Sequence, residues 1–124
     1  MSEKILRISK EALNKIISGD VKKKVTCIIK FYTNTCPFCE SLHDYYVDIA
    51  EDDNFSDVRF FAFNMEDDPD LERRLKFNGV PTISCVKADP GKTSEVKILQ
   101  DPDPPNEKTW YYSNDIKKFI ESNR

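Results

Sequence analysis

Two cysteines, Cys36 and Cys39, bracket the dipeptide Pro37-Phe38 in the stretch Thr35-Cys36-Pro37-Phe38-Cys39-Glu40. Sulfurs one helical turn apart can close a small reversible disulfide or supply half of a tetrahedral metal site. The stretch follows an apolar run, Val25-Thr26-Cys27-Ile28-Ile29-Lys30-Phe31-Tyr32, and precedes a helical pattern over Leu42–Ala50. A strand feeding the first turn of a helix presents a sulfur to unpaired N–H groups and the positive end of the helix dipole. Both favour a thiolate. The chemistry this predicts is dithiol–disulfide exchange.

The elements that must hold those sulfurs can be read in chain order. Residues 4–8 read as a short strand, followed by Ser9 as N-cap and a helix over Lys10–Ser18 with Leu13, Ile16 and Ile17 on one face. Gly19-Asp20 closes it, and Lys22-Lys23-Lys24 is a solvated turn. Residues 25–33 are apolar in both alternating sets, as expected of a central strand covered on both faces. The helix over 36–51 presents Leu42, Tyr45, Tyr46, Ile49 and Ala50 as its buried stripe, and Val58–Asn64 forms another strand.

Asp68-Pro69 reads as the N-cap and first position of a short helix, with Leu71 and Leu75 inward and Asn78-Gly79 as its stop. A strand enters at Val80–Val86 with proline near its start, where a missing N–H is tolerable. Asp89-Pro90-Gly91-Lys92 has type II turn chemistry and joins this strand to residues 94–99 as a hairpin. Ser113 caps a final helix whose Ile116, Phe119 and Ile120 face the core. The order βαβαβαββα implies an α/β domain spanning residues 1–124, with a central mixed sheet flanked by helices on both faces.

Composition bounds the partners. The chain has 124 residues, 33% charged and 39% apolar, with a net charge of −3 spread over both signs. Such a balance favours neither nucleic acid nor an anionic membrane surface. Met1-Ser2-Glu3-Lys4-Ile5-Leu6 lacks the apolar core of a signal peptide, which gives the expectation of a cytoplasmic protein; a monomer is expected as well. Four cysteines are too few and too unevenly spaced for a disulfide scaffold, and Cys27 and Cys85 read as small buried hydrophobes.

Phe31-Tyr32-x-x-x-Cys36-x-x-Cys39, together with a separate Gly79-Val80-Pro81-Thr82 before a strand, resembles the thioredoxin-like superfamily over nearly the whole chain. The resemblance implies the thioredoxin fold, with Cys36 as the attacking thiolate and Cys39 resolving the mixed disulfide. It implies a cis Val80–Pro81 bond against the sulfurs and a Val80 backbone that pairs with substrate. Pro37 and Phe38 would share in substrate binding. Partners would be protein disulfides and a reductase or other dithiol electron donor, with no cofactor beyond the redox-active disulfide. A metal site would need Cys27, Cys85 and His43 to converge on the pair, and the strands hold the two cysteines in separate core positions, so no metal is expected. The function that follows is a protein-disulfide oxidoreductase, a cytosolic reductant. The alternatives are an oxidase or isomerase of an oxidising compartment, or a non-catalytic binding subunit.

Departures from the family pattern surround the motif. Pro-Phe is closer to the glutaredoxin dipeptide, yet Val86-Lys87-Ala88-Asp89 stands where glutaredoxins carry the Gly-Gly that holds glutathione, which points to a protein partner. Thr35 replaces the usual tryptophan, and Asp44 replaces a kinking proline in the helix. Lys30 stands where thioredoxins place a buried aspartate. It reads as a lysine snorkelling to solvent; the sharper alternative is a modulator of Cys39 or a desolvated base. His43 shares a helical face with Cys39 and reads as a packed or half-exposed core histidine, or else as a participant in proton transfer. The acidic, proline-rich residues 101–109 read as a stiff surface insertion. The alternative is that they border the substrate groove with Trp110, Tyr111 and Tyr112 and select a partner with a basic flank.

Overall fold

The computed structural model describes residues 4–124; the first three positions of the N-terminal stretch read above lie outside the described residues. Five strands, β1 (Ile5–Arg7), β2 (Val25–Tyr32), β3 (Arg59–Asn64), β4 (Thr82–Ala88) and β5 (Val96–Ile98), form one sheet in the order β1-β3-β2-β4-β5. The β1–β3 and β3–β2 pairs are parallel, and β4 and β5 run antiparallel to their neighbours. Helices α1 (Lys10–Ser18), α2 (Pro37–Glu51), α3 (Leu71–Leu75) and α4 (Ser113–Asn123) complete the order βαβαβαββα. This is the mixed, two-sided sheet of the thioredoxin fold.

The alternation of β2 explains both layers. Cys27, Ile29 and Phe31 face one side, where they join Leu13, Phe63, Leu71, Phe77 and Val86 beneath α1 and α3. Ile28 faces the other, with Leu42, Tyr46, Ile49, Phe60, Ile83, Ile116 and Ile120 beneath α2 and α4. Each such fully buried aliphatic or aromatic side chain contributes about 1.5–3 kcal/mol relative to exposure. By the same two-residue period Lys30 belongs to the α2 side, so the strand that builds the core also delivers one cation beneath the active helix.

Several local expectations are corrected. Tyr45 is 51% exposed, because it sits about 100° around α2 from the line of Cys39, Leu42, Tyr46 and Ile49. Asp68-Pro69 does not open α3. Asn64 instead caps a short 3-10 turn over Met65–Asp67, Asp68 pairs with Arg74 at 3.4 Å, and the helix starts only at Leu71. That helix ends at Lys76, which takes the left-handed conformation (φ 61°), rather than at Asn78-Gly79. Ser113 is the first residue of α4 rather than its cap, a position held by Tyr112 with no side-chain bond. The turn at Asp89–Lys92 has Gly91 at φ 78° and a Lys92 N–H bond to the Asp89 carbonyl (3.0 Å), as type II chemistry requires.

Candidate active site

The end of β2 and the head of α2 meet at Cys36. Cys36 is the N-cap of α2: its Sγ accepts the Cys39 backbone N–H at 3.1 Å, and Pro37 occupies the first turn, where no N–H is needed. Cys36 and Cys39 are joined as a disulfide with Cα atoms 5.2 Å apart. Cys36 is half-buried and Cys39 is 4% exposed, so only one sulfur is open to a large partner. α2 runs uninterrupted from Pro37 to Glu51 past Asp44.

The loop before Cys36 is tethered from the neighbouring strand. Asn64, at the end of β3, donates through Nδ2 to Asn34 Oδ1 (3.0 Å), and Asn34 donates to Glu66 Oε2 (3.1 Å). Nothing in the sequence announced this network, because its members lie about thirty residues apart and carry no motif. On the other side of the motif, Phe31 pairs with Thr82 in the β2–β4 register, so Pro81 falls level with Tyr32 at the cysteine end of the sheet. The Val80–Pro81 bond is cis, Pro81 is buried and Val80 half-buried. Gly79 holds φ 84°, and its carbonyl accepts the Thr82 hydroxyl at 2.7 Å.

A groove of about 840 Å³ opens beside the disulfide. Cys36, Cys39, His43 and Asp44 line it from the helix side, Lys30 and Tyr32 from β2, and Arg7 from β1. Val80, Pro81 and Phe38 do not line it. Lys30 does not snorkel: it is 3% exposed, with Nζ 5.2 Å from the centroid of the Tyr46 ring and 6.0 Å from that of Tyr32. Among the described residues it forms no ion pair. Burial pushes its ammonium down to about 8. His43 is exposed on the groove wall rather than packed in the core, and burial followed by the nearby Lys30 charge lowers it from the usual histidine value.

Phe38 turns to the opposite side, where its ring meets Trp110 edge-on with centroids 5.5 Å apart. Trp110 has φ 67°, rare for a residue with a side chain, and is held there by a paired backbone bridge to Asn106 and by an indole N–H bond to Asp101 (2.9 Å). The loop therefore reaches the active-site dipeptide through Trp110. Tyr111 is 1% exposed and belongs to the core, and Tyr112 donates back to the Pro104 carbonyl (3.1 Å), so neither shares that contact. Cys27 and Cys85 are buried thiols on opposite faces of the sheet, and burial raises both, Cys27 to about 11. Among the described residues no cluster of three or more His, Cys, Asp or Glu side chains is placed to hold a metal.

Residues 4–103 match the family model for thioredoxin. Among solved structures, thioredoxin f from spinach chloroplast (short form) is similar at 18% identity, over 98% of this chain and 94% of that one, with a TM-score of 0.71. Chloroplastic thioredoxin z is similar at 23% identity over 98% and 96%, with a TM-score of 0.65. The J-Trx1 fragment of ERdj5 matches 97% of this chain at 16% identity and a TM-score of 0.64, and the chain spans half that fragment's length.

Proposed function

The chain belongs to the thioredoxin family of thiol–disulfide oxidoreductases, and on that footing we propose that it reduces protein disulfides in the cytoplasm and is itself recharged by a reductase or another dithiol donor. The observation that supports exchange through this pair is its asymmetry: Cys36 half-exposed at the head of α2 with a backbone N–H on its sulfur, Cys39 nearly closed off behind it. In the reduced protein the Cys36 thiolate attacks one sulfur of the partner's disulfide and expels the other as a thiolate, leaving Cys36 joined to the partner. Cys39 then attacks Cys36 Sγ. The intramolecular disulfide forms, the bond to the partner breaks, and the partner leaves with two electrons and, after protonation, two thiols. Val80, beside the cis bond, offers backbone groups to an extended partner segment, and Pro37 and Phe38 flank the attacking sulfur.

A redox titration of the Cys36–Cys39 pair against glutathione tests the direction. A reductant should sit near about −270 mV. A value between roughly −180 and −120 mV would overturn that direction in favour of an oxidase or isomerase. One observation favours this second reading: a buried cation lines the same groove as the pair, and a cation near thiolates stabilises them over the disulfide, which raises the potential.

Trp110 gives the loop a part in partner choice. Trp110→Ala is expected to lower kcat/KM for a protein disulfide such as that of insulin by about tenfold, the effect of losing one aromatic anchor of about 1.4 kcal/mol. Reaction with a small disulfide should stay within about twofold. Equal losses for both substrates would show that the loop serves the fold rather than recognition.

A further inference from the structure

We propose that Lys30 is the proton acceptor for Cys39: its amine takes the thiol proton as Cys39 attacks the mixed disulfide and hands it to the departing thiolate afterwards. This deepens the exchange mechanism above and rests on it. No carboxylate among the described residues pairs with the Lys30 charge. Lys30 is 3% exposed and lines a groove that both redox cysteines also line. A lone ammonium in that position is costly, and only the ring faces of Tyr46 and Tyr32 offset it.

The groups that face the groove narrow the choice of acceptor. From β1 comes Arg7, already engaged with Asp67 at 3.0 Å. From β2 come Lys30 and Tyr32, and β3 contributes only Ala62. From α2 come Cys39, Glu40, His43 and Asp44, of which the last three are solvent-exposed while Cys39 is buried. The two buried members, Cys39 and Lys30, lie on facing elements, and each is easier to keep in the groove as one half of a neutral pair. When the thiol and the amine exchange a proton, the product is a thiolate beside an ammonium. Each charge then stabilises the other in a setting that would penalise either alone. With the ammonium lowered to about 8 by burial, part of the amine is unprotonated at neutral pH and free to take the thiol proton, and that fraction grows as the pH rises toward 8.

The step balances. Cys39–SH gives its proton to Lys30 and its sulfur pair to Cys36 Sγ, and the Cys36–partner bond breaks with its electrons on the partner sulfur. That thiolate takes the proton from the Lys30 ammonium, directly or through water in the groove. The cysteine pair is oxidised by two electrons and the partner reduced by two.

Reduced protein mixed with excess 5,5′-dithiobis(2-nitrobenzoate) separates the steps, because the first equivalent of released aromatic thiolate reports attack by Cys36 and the second reports resolution by Cys39. In Lys30→Met the first phase should stay within about twofold, while the second slows by about 10²-fold at neutral pH and its pH dependence moves up to that of an unassisted thiol. Lys30→Glu restores a proton acceptor of opposite charge and should recover most of the second phase; Lys30→Arg keeps the charge but cannot accept a proton and should not. The proposal is overturned if Lys30→Met leaves the second phase and its pH profile unchanged, or if Lys30→Arg keeps the wild-type rate while Lys30→Glu loses it. Loss of the first phase in the wild-type protein would overturn the exchange mechanism itself, an outcome distinct from either.

Discussion

Cys36→Ser should abolish disulfide exchange, and Cys39→Ser should leave the first attack intact while stranding the protein on its partner as a mixed disulfide. In both variants turnover should fall by at least about 10³-fold, because each removes a nucleophile that no neighbouring group replaces. The two are told apart by intact mass after incubation with a disulfide-bearing protein. Only Cys39→Ser should gain the partner's mass, and a thiol reductant should release it. The difference follows from geometry: Cys36 is the sulfur that a large partner can reach, while Cys39 is 4% exposed. Neither substitution threatens the fold, since the disulfide closes a loop between residues only three apart and the core lies in the layers above and below the sheet. An adduct on Cys36→Ser instead would reverse the two roles. Unchanged turnover in both variants would make the chain a binding subunit.

Phe31→Ala should produce the largest loss of stability, about 3–5 kcal/mol out of the roughly 5–15 available to a domain of this kind. Phe31 is fully buried, stacked on Phe77 with centroids 4.9 Å apart and edge-on to Phe63 at 6.1 Å. Its removal leaves a ring-sized gap under the strand that ends at the active-site loop. The urea midpoint should drop by roughly 2 M, given a slope of about 1–3 kcal/mol per molar. Tyr45→Ala is the matched control: its ring is half exposed, and the midpoint should barely move. A small shift for Phe31→Ala would mean that the layer beneath α1 and α3 collapses around the gap.

Much of this architecture was legible because it rests on period and punctuation. The doubly apolar β2, the Cys36–Cys39 spacing at a strand-to-helix junction and the Pro90-Gly91 turn each carry a local physical requirement that a sequence displays. The rest depends on residues distant in sequence. Tyr45 and Tyr46 are both aromatic neighbours on one helix, and only the sheet beneath determines which is inside. The Asn34–Asn64–Glu66 tether and the Phe38–Trp110 contact join segments that have no reason to be associated until the chain is folded. The burial of Lys30 is hidden from the sequence for a related reason. Snorkelling would carry the ammonium out to water, and here it rests instead against the rings of Tyr46 and Tyr32, contacts that only the folded chain creates.

The burial of Lys30 also sets a standing cost on the fold. A lysine that titrates near 8 when folded and near 10.5 when free binds fewer protons in the folded chain between those limits. The penalty is therefore complete below pH 8, on the order of 3 kcal/mol, and is relieved as the pH rises toward 10.5. At neutral pH the domain gives up part of its conformational stability at a buried position on the groove that its redox cysteines line, where an apolar side chain would have made a sturdier but chemically silent protein.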